Sequence, residues 1–321
     1  MVFIGFHASH EQLPPSALLQ AVIQAEAAGY DGAMCSDHLA PWGVRQGESG
    51  YAWSWLAAAL ASTSFSFGVV TAPGQRYHPV ITAQAIATLE EMFPGRFWAA
   101  LGSGEAMNEH VTGDPWPPKP ERNARLQASV ETIRALLAGE EVSRADAVTV
   151  HRARIWSRPE APPPLFGAAV TPETAGWLAG WADGLATVNQ APEALARVVD
   201  AYRDAGGTGP CVLQVHLSLG DTEAEALAAV RDQWRQSAIQ GVSMWDIEQP
   251  EEFDALAGDP SDADLRRGVL VSTDAGELAD RIAGLVNLGF DRVYLHGVGT
   301  DQHAFLERSR HELLPALRGL L

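Results

Sequence analysis

The sequence predicts an α/β fold, a TIM (β/α)8-type barrel carrying insertions, and three observations lead there. Short apolar runs alternate with longer helical stretches along most of the chain, the pattern of βαβ units on a parallel sheet. Eight of the runs read as strands, and 321 residues suit one such barrel as a single domain. Polar residues able to do chemistry gather just past the ends of the runs, where barrels of this kind keep their sites. An open doubly wound sheet is the alternative, and the strand count favours the barrel.

The elements follow in order. Val2–Ala8 is the first strand, and Ser16 caps a helix that reaches Ala28 and stops at Gly29. Gly32–Ser36 is the second strand, Trp53–Ser62 a helix and Phe65–Thr71 the third strand. Val80–Phe93 is a helix closed by Pro94-Gly95, and Phe97–Leu101 is the fourth strand. A proline-rich loop from Trp116 to Pro120 precedes the helix Glu121–Leu137. Ala147–Arg158 alternates apolar and polar residues, as a small hairpin outside the barrel would. Leu165–Ala169, Gly184–Val188 and Cys211–Leu219 are strands five to seven, separated by the helices Pro172–Ala182 and Pro192–Ala205. A helix Glu223–Gln236 leads into an irregular acidic insertion at about 237–267. Gly268–Val271 is a strand or a loop, Glu277–Leu288 a helix, Arg292–Gly297 the eighth strand and Ala304–Leu320 the closing helix.

Composition excludes several function classes. A net charge of −18 leaves no broad electrostatic footprint for nucleic acid or an anionic membrane. No apolar run approaches the ~20 residues of a membrane helix, and the chain opens on a strand without a leader, so a cytoplasmic protein is expected. Cys35 and Cys211 sit in apolar runs and read as buried thiols, not as a disulfide or a metal site.

The strand ends select the candidate residues: His7 and Ser9, Ser36-Asp37-His38, Thr71, Ser103, Glu105 and Asn108, Asn189, and His296. His38 can change protonation near neutral pH, as acid–base work requires. Asp37 need not orient it, because adjacent residues on an extended strand point oppositely. Gly102-Ser103-Gly104 lets the backbone approach a flat ligand or an oxyanion, and Glu105 follows directly. Trp42 and Tyr77 are equally suited to packing and to stacking on a ring. The glycine turn does not fit the dinucleotide fingerprint, and there is no P-loop and no serine nucleophile elbow. A metal-dependent hydrolase is disfavoured because the first strand lacks a His-x-His pair, so no metal is expected.

Several stretches together resemble a known family. They are Ala8-Ser9-His10-Glu11-Gln12, Ser36-Asp37-His38 with Pro41-Trp42, Arg76-Tyr77-His78-Pro79, Pro94-Gly95-Arg96, Gly102-Ser103-Gly104-Glu105-Ala106-Met107-Asn108-Glu109, and Asp301-Gln302 with Phe305-Leu306-Glu307. The chain resembles the luciferase-like superfamily of flavin- and deazaflavin-dependent oxidoreductases, nearest the branch of glucose-6-phosphate dehydrogenases that use coenzyme F420. The resemblance implies a luciferase-like barrel with a flavin-type ring at its C-terminal mouth and a homodimer. It implies His38 as the base taking a proton from a substrate hydroxyl, Glu105 as an acid near the ring, and Trp42 as a shield. It places Asp37, Gly102, Ser103, Gly104, Asn108 and the strand-five loop at Ala169 and Val170 against the cofactor. Gly68-Val69 would form a strand bulge with a cis peptide behind the ring. Trp42, Tyr77, Arg267 and His296 would meet the substrate. Two departures bear on ligands. Val170-Thr171 stands where the branch has a Gly-Gly pair near the cofactor phosphate, which leaves FMN and coenzyme F420 both open. Of the basic residues that read a sugar phosphate only Arg267 has a counterpart, the others falling near Ala191 and Asp291. The expected function is hydride transfer between such a cofactor and a small alcohol or carbonyl compound. The alternatives are an FMN-dependent monooxygenase using dioxygen and a flavin-binding relative without catalysis.

Overall fold

A computed structural model describes residues 2–321. The chain begins with β1 (Phe3–Ala8), α1 (Pro15–Ala28), β2 (Ala33–Ser36), α2 (Ala52–Ser62), β3 (Phe67–Thr71), α3 (Pro79–Met92) and β4 (Phe97–Leu101). A short α4 (Ala106–Glu109) and the long α5 (Lys119–Ala138) follow, then an antiparallel hairpin of β5 (Val142–Ala145) and β6 (Thr149–Ala153). The barrel resumes with β7 (Leu165–Ala168), α6 (Pro172–Leu178), β8 (Leu185–Val188), α7 (Pro192–Asp204), β9 (Cys211–Leu219) and α8 (Glu223–Gln233). After α9 (Pro250–Ala257) and α10 (Asp262–Gly268) come β10 (Leu270–Ser272), α11 (Ala275–Val286), β11 (Arg292–Gly297), α12 (Gln302–Arg308) and α13 (Leu314–Leu320).

Eight parallel strands close the barrel in the order β1, β2, β3, β4, β7, β8, β9, β11, with β11 returning to β1 through Phe3↔Arg292 to Phe6↔Leu295. The period-2 alternation of each strand divides its side chains between two shells. Ile4, Phe6, Val69, Leu101, Leu213 and Leu295 face the helices, while Met34, Trp98, Phe166, Val212 and Tyr294 fill the barrel. These large inner side chains need room from their neighbours. A Cβ on Gly68 would lie 2.0 Å from the Trp98 ring, so the glycine is required by packing. That corrects the bulge expected at Gly68-Val69: both residues lie inside a regular β3, Val69 points outward into the helix-facing core, and the described residues contain no cis peptide.

Other differences have local causes. Helix α1 starts at Pro15, whose fixed φ suits a first turn, so Pro14 takes the cap position and Ser16 lies inside. The 237–267 insertion is more ordered than its composition suggests, because Gln249 with Glu252 and Ser261 with Asp264 form capping boxes that start α9 and α10. The segment at Gly268–Val271 becomes β10, a ninth strand that continues the edge of β9 beyond the end of β8 through Leu270↔Leu217 to Ser272↔Leu219. No described helix is long and apolar enough to cross a membrane.

Candidate active site

Three loops at the C-terminal mouth converge on His38. The loop after β1 carries Ser9 and Glu11, the loop after β2 carries Asp37, His38 and Trp42, and the loop after β4 carries Glu105. His38 Nδ1 lies 2.6 Å from Glu11 Oε1, and Nε2 lies 3.5 Å from Glu105 Oε2. Ser9 Oγ donates to the other oxygen of Glu11. Burial opposes the charge on His38, but the carboxylates of Glu11 and Glu105 outweigh it and raise its pKa above the ordinary imidazole value. Burial likewise opposes ionisation of Glu11, yet His38 and Ser9 hold it well below the usual carboxylate range. Glu105 is raised by burial and by Glu11, against the opposing pull of His38 and Arg76. One imidazole thus sits between a firmly ionised carboxylate and a second carboxyl that holds its proton more tightly.

The surrounding side chains fix this pair. Asn108 Oδ1 accepts from Leu39 N–H at 2.8 Å, and its Nδ2 donates to Glu105 Oε2 at 3.0 Å, tying the loops after β2 and β4 together. Trp42 meets His38 edge-on at 5.1 Å and Phe253 edge-on at 5.3 Å, so the insertion helix α9 backs the indole that covers the imidazole. Asp37 turns away from this centre. Its carboxylate accepts from Trp53 Nε1, Thr71 Oγ1 and Tyr77 OH at 2.8–3.1 Å, and Arg76 Nη2 lies 3.3 Å away. Tyr77 is therefore committed to Asp37, with the Arg76 guanidinium 4.4 Å over its ring.

Beside His38 the mouth is lined by small residues. Ser36 and Val70 are paired across β2 and β3, and a Cβ on Gly102 would only reach ordinary contact with Ala168 at 3.7 Å. Gly104 has φ +85, a conformation that L side chains rarely adopt, and a Cβ there would come within 3.1 Å of Glu109 and 3.3 Å of Trp116. Glu109 is buried, accepts from Arg76 N–H, and is pushed up to about 7 by burial, helped by Glu105 and Asp37. Ala169 is buried at the end of β7, and the Val170 carbonyl accepts from Gln190. The opposite wall is made of imidazoles: His7, His216 and His296 pack with ring centroids 4.7 and 5.1 Å apart, and Trp234 lies edge-on over His296. Burial lowers His7 to about 4 and His216 to about 3, and lowers His296 well below 6.5.

The structure brings His38, Glu105, Asn108 and Trp42 together. Arg267 is exposed on α10 and paired with Asp264 of its own helix. His296 lies on the imidazole wall, bonded through Nε2 to Gln12 Oε1 at 2.6 Å. Sequence reasoning missed Glu11 as the partner of His38. The signal was available, because Glu11 lies three residues past the end of β1, inside the same mouth that supplied the other candidates.

A family model described as luciferase-like monooxygenase matches residues 1–292. The chain belongs to the luciferase-like family. A luciferase-like relative from Beutenbergia cavernae named F420-dependent glucose-6-phosphate dehydrogenase is 36% identical over 332 residues, covering 99% of this chain and 98% of its own. A relative of the same name from Intrasporangium calvum is 34% identical over 335 residues and covers all of both chains. Among solved luciferase-like structures, an F420-dependent secondary alcohol dehydrogenase in complex with an F420-acetone adduct superposes with a TM-score of 0.91. It is 29% identical, and the match covers 99% of each chain.

Proposed function

We propose that this chain is an oxidoreductase that moves a hydride between coenzyme F420 and a small, neutral alcohol or carbonyl compound. The observation that carries this reading is the pinned imidazole. With Nδ1 facing the Glu11 carboxylate at 2.6 Å, neutral His38 keeps its proton on Nδ1 and presents Nε2 as the acceptor. Glu11 then stabilises the imidazolium that forms when Nε2 takes the hydroxyl proton. In the reverse direction the same Nε2–H returns a proton to the carbonyl oxygen. Glu105, 3.5 Å from Nε2 and held by Asn108, positions the polar end of the substrate beside that nitrogen.

The residues fit a flat tricyclic ring. The surface formed by Ser36, Val70, Gly102 and Ala168 has no long side chain, and Gly104 keeps the adjoining turn close to the backbone. Bound there, the cofactor supplies a two-electron hydride acceptor and donor. Trp42 excludes water from His38 on the side facing the insertion. The names of the full-length relatives favour F420 over FMN. A neutral substrate is favoured because Arg267 is already paired with Asp264 and the imidazole wall carries no charge at neutral pH. The homodimer and the cytoplasmic location expected from the sequence belong to the same reading, and light scattering of the purified protein measures the first.

The test is a fluorescence titration with F420 and with FMN, followed by mixing the loaded protein with propan-2-ol and recording bleaching of the deazaflavin. Saturable F420 binding with alcohol-dependent bleaching supports the reading. Tight FMN binding with oxygenated product from reduced FMN and dioxygen refutes it in favour of a monooxygenase. Binding without turnover of either kind leaves a carrier, not an enzyme.

A further inference from the structure

The chain has 22 basic residues, and Lys119 is the only lysine among them. It opens α5 at the rim of the mouth, where Nζ donates to Ser103 Oγ at 3.0 Å in the middle of the glycine turn. Among the described residues no carboxylate lies within 4 Å of it, although most of the arginines are paired with Asp or Glu. Its nearest influences are the Arg122 cation and the more distant carboxylates of Glu173 and Asp246, and partial burial with Arg122 lowers its pKa. Arg122 is itself buried, stacked on Trp116 and paired through Nη1 with Asp246 at 3.0 Å, with its Nε left without a partner. In a protein of net charge −18, a lysine spared a carboxylate while its neighbour Arg122 takes Asp246 is placed for an anion that arrives from outside. Ser103 accepts from Lys119, so its own O–H is free to donate in the same direction.

Position says which anion. The reacting pair, His38 and Glu105, faces the loops after β1 and β2, whereas the turn that carries Ser103 adjoins the end of β7, where a Cβ on Gly102 would meet Ala168 at 3.7 Å. In flavins and deazaflavins alike, the hydride-carrying atom and the chain-bearing nitrogen lie across the central ring from each other. A ring with its reactive edge at His38 therefore sends its phosphate-bearing chain away from His38. We propose that Lys119 and Ser103 form the receptor for the phosphate on the cofactor's tail, a site distinct from the proton-transfer centre. It replaces with side-chain donors what backbone alone would offer at Val170-Thr171. The inference rests on the flavin-type reading of the mouth.

The experiment compares Lys119→Met, Lys119→Arg and the parent protein, each titrated by fluorescence with F420 and with the phosphate-free deazaflavin riboside. Lys119→Met keeps the apolar stem and loses the charge. The expected result is a loss of about 10- to 100-fold in affinity for F420, unchanged riboside affinity, recovery in Lys119→Arg, and a shallower salt dependence in Lys119→Met. As an independent readout, the one ε-amine of the parent is acetylated and counted by mass spectrometry, and F420 should protect it while the riboside should not. Equal weakening of both ligands means Lys119 only supports the turn and overturns the inference. So does unchanged F420 affinity, as does a loss confined to glucose 6-phosphate, which would assign the cation to a substrate phosphate. If the parent binds the riboside but Lys119 makes no difference to F420, the inference alone fails. If the parent binds neither chromophore, the flavin-type reading fails with it.

Discussion

Replacing Glu11 by Gln tests how His38 is tuned, because the protein holds its own controls. His7, His10 and His216 are buried imidazoles with no carboxylate in contact, and burial takes them to about 4, about 4 and about 3. His38 is only slightly more open, with 11% of its side chain exposed, yet its pKa is raised above 6.5 by Glu11 and Glu105. Glu11→Gln keeps the side-chain shape and an oxygen for Ser9 but removes the charge 2.6 Å from Nδ1. With only Glu105 left at 3.5 Å, the His38 pKa should fall towards those of its buried neighbours. Alcohol oxidation needs His38 neutral, so turnover in the parent rises with pH through the raised pKa, and carbonyl reduction falls over the same range. In Glu11→Gln the oxidation limb should move to lower pH. On the alkaline plateau, where both proteins carry a neutral imidazole, the weaker base of Glu11→Gln should be roughly 10-fold slower, because a Brønsted dependence passes part of the lost basicity into the rate. The assay is single-turnover cofactor reduction from pH 5 to 9, with NMR titration of the His38 ring in parallel. A limb that stays within ~0.5 unit of the parent, in a protein of unchanged Tm, would show that Glu11 does not set the basicity of His38.

Further outcomes follow from the same geometry. His38→Ala should lower turnover by about 10²- to 10⁴-fold with ring affinity nearly unchanged, and loss of cofactor with normal turnover per bound cofactor would move the proton-transfer role to Glu105. Gly104→Val should weaken ring binding and cost about 1–3 kcal/mol of stability, since φ is +85 and the new Cβ meets Glu109 and Trp116; a full-affinity variant in the same titration counts against the turn as a ring contact. Glu109 keeps its proton up to about pH 7 when folded against an ordinary 4.5, so the folded state is penalised as pH rises from 4.5 to 7 and fully penalised above that. Glu109→Gln should therefore leave stability unchanged at pH 4 and raise it by roughly 2–4 kcal/mol at pH 8, measured by urea unfolding. Glucose 6-phosphate should show no micromolar binding by calorimetry with cofactor present, because Arg267 is exposed and bound to Asp264.

The barrel was legible because its strands are buried on both faces and so appear as continuous apolar runs: Phe97–Leu101 and Cys211–Leu219 have the same ends in the structure as in the sequence. The insertion was not, because α9 and α10 span 8 and 7 residues and periodicity needs a longer window. Their capping boxes were written in the chain all the same, at Gln249-x-x-Glu252 and Ser261-x-x-Asp264. At the mouth, His38, Glu105 and Asn108 could be named because each follows a strand closely. Which carboxylate pairs with which imidazole could not, since Asp37 adjoins His38 in sequence and turns to Trp53, Thr71 and Tyr77, while Glu11 comes from another strand's loop.

That pairing decides the chemistry of the mouth more than the histidines do. His7, His38, His216 and His296 are the same functional group gathered at one end of one barrel, three of them buried and His38 nearly so. Desolvation alone makes three of them neutral, weakly basic hydrogen-bonding walls at any physiological pH. Only His38 has carboxylates on both ring nitrogens, and only there does the cost of burying a charge give way to a base able to work near neutrality. The loops after β1 and β4 thereby confine proton transfer to one atom, Nε2 of His38. The same burial keeps the facing wall from competing for the proton, and it leaves that wall able to bond a hydroxyl or carbonyl oxygen without attracting an anion.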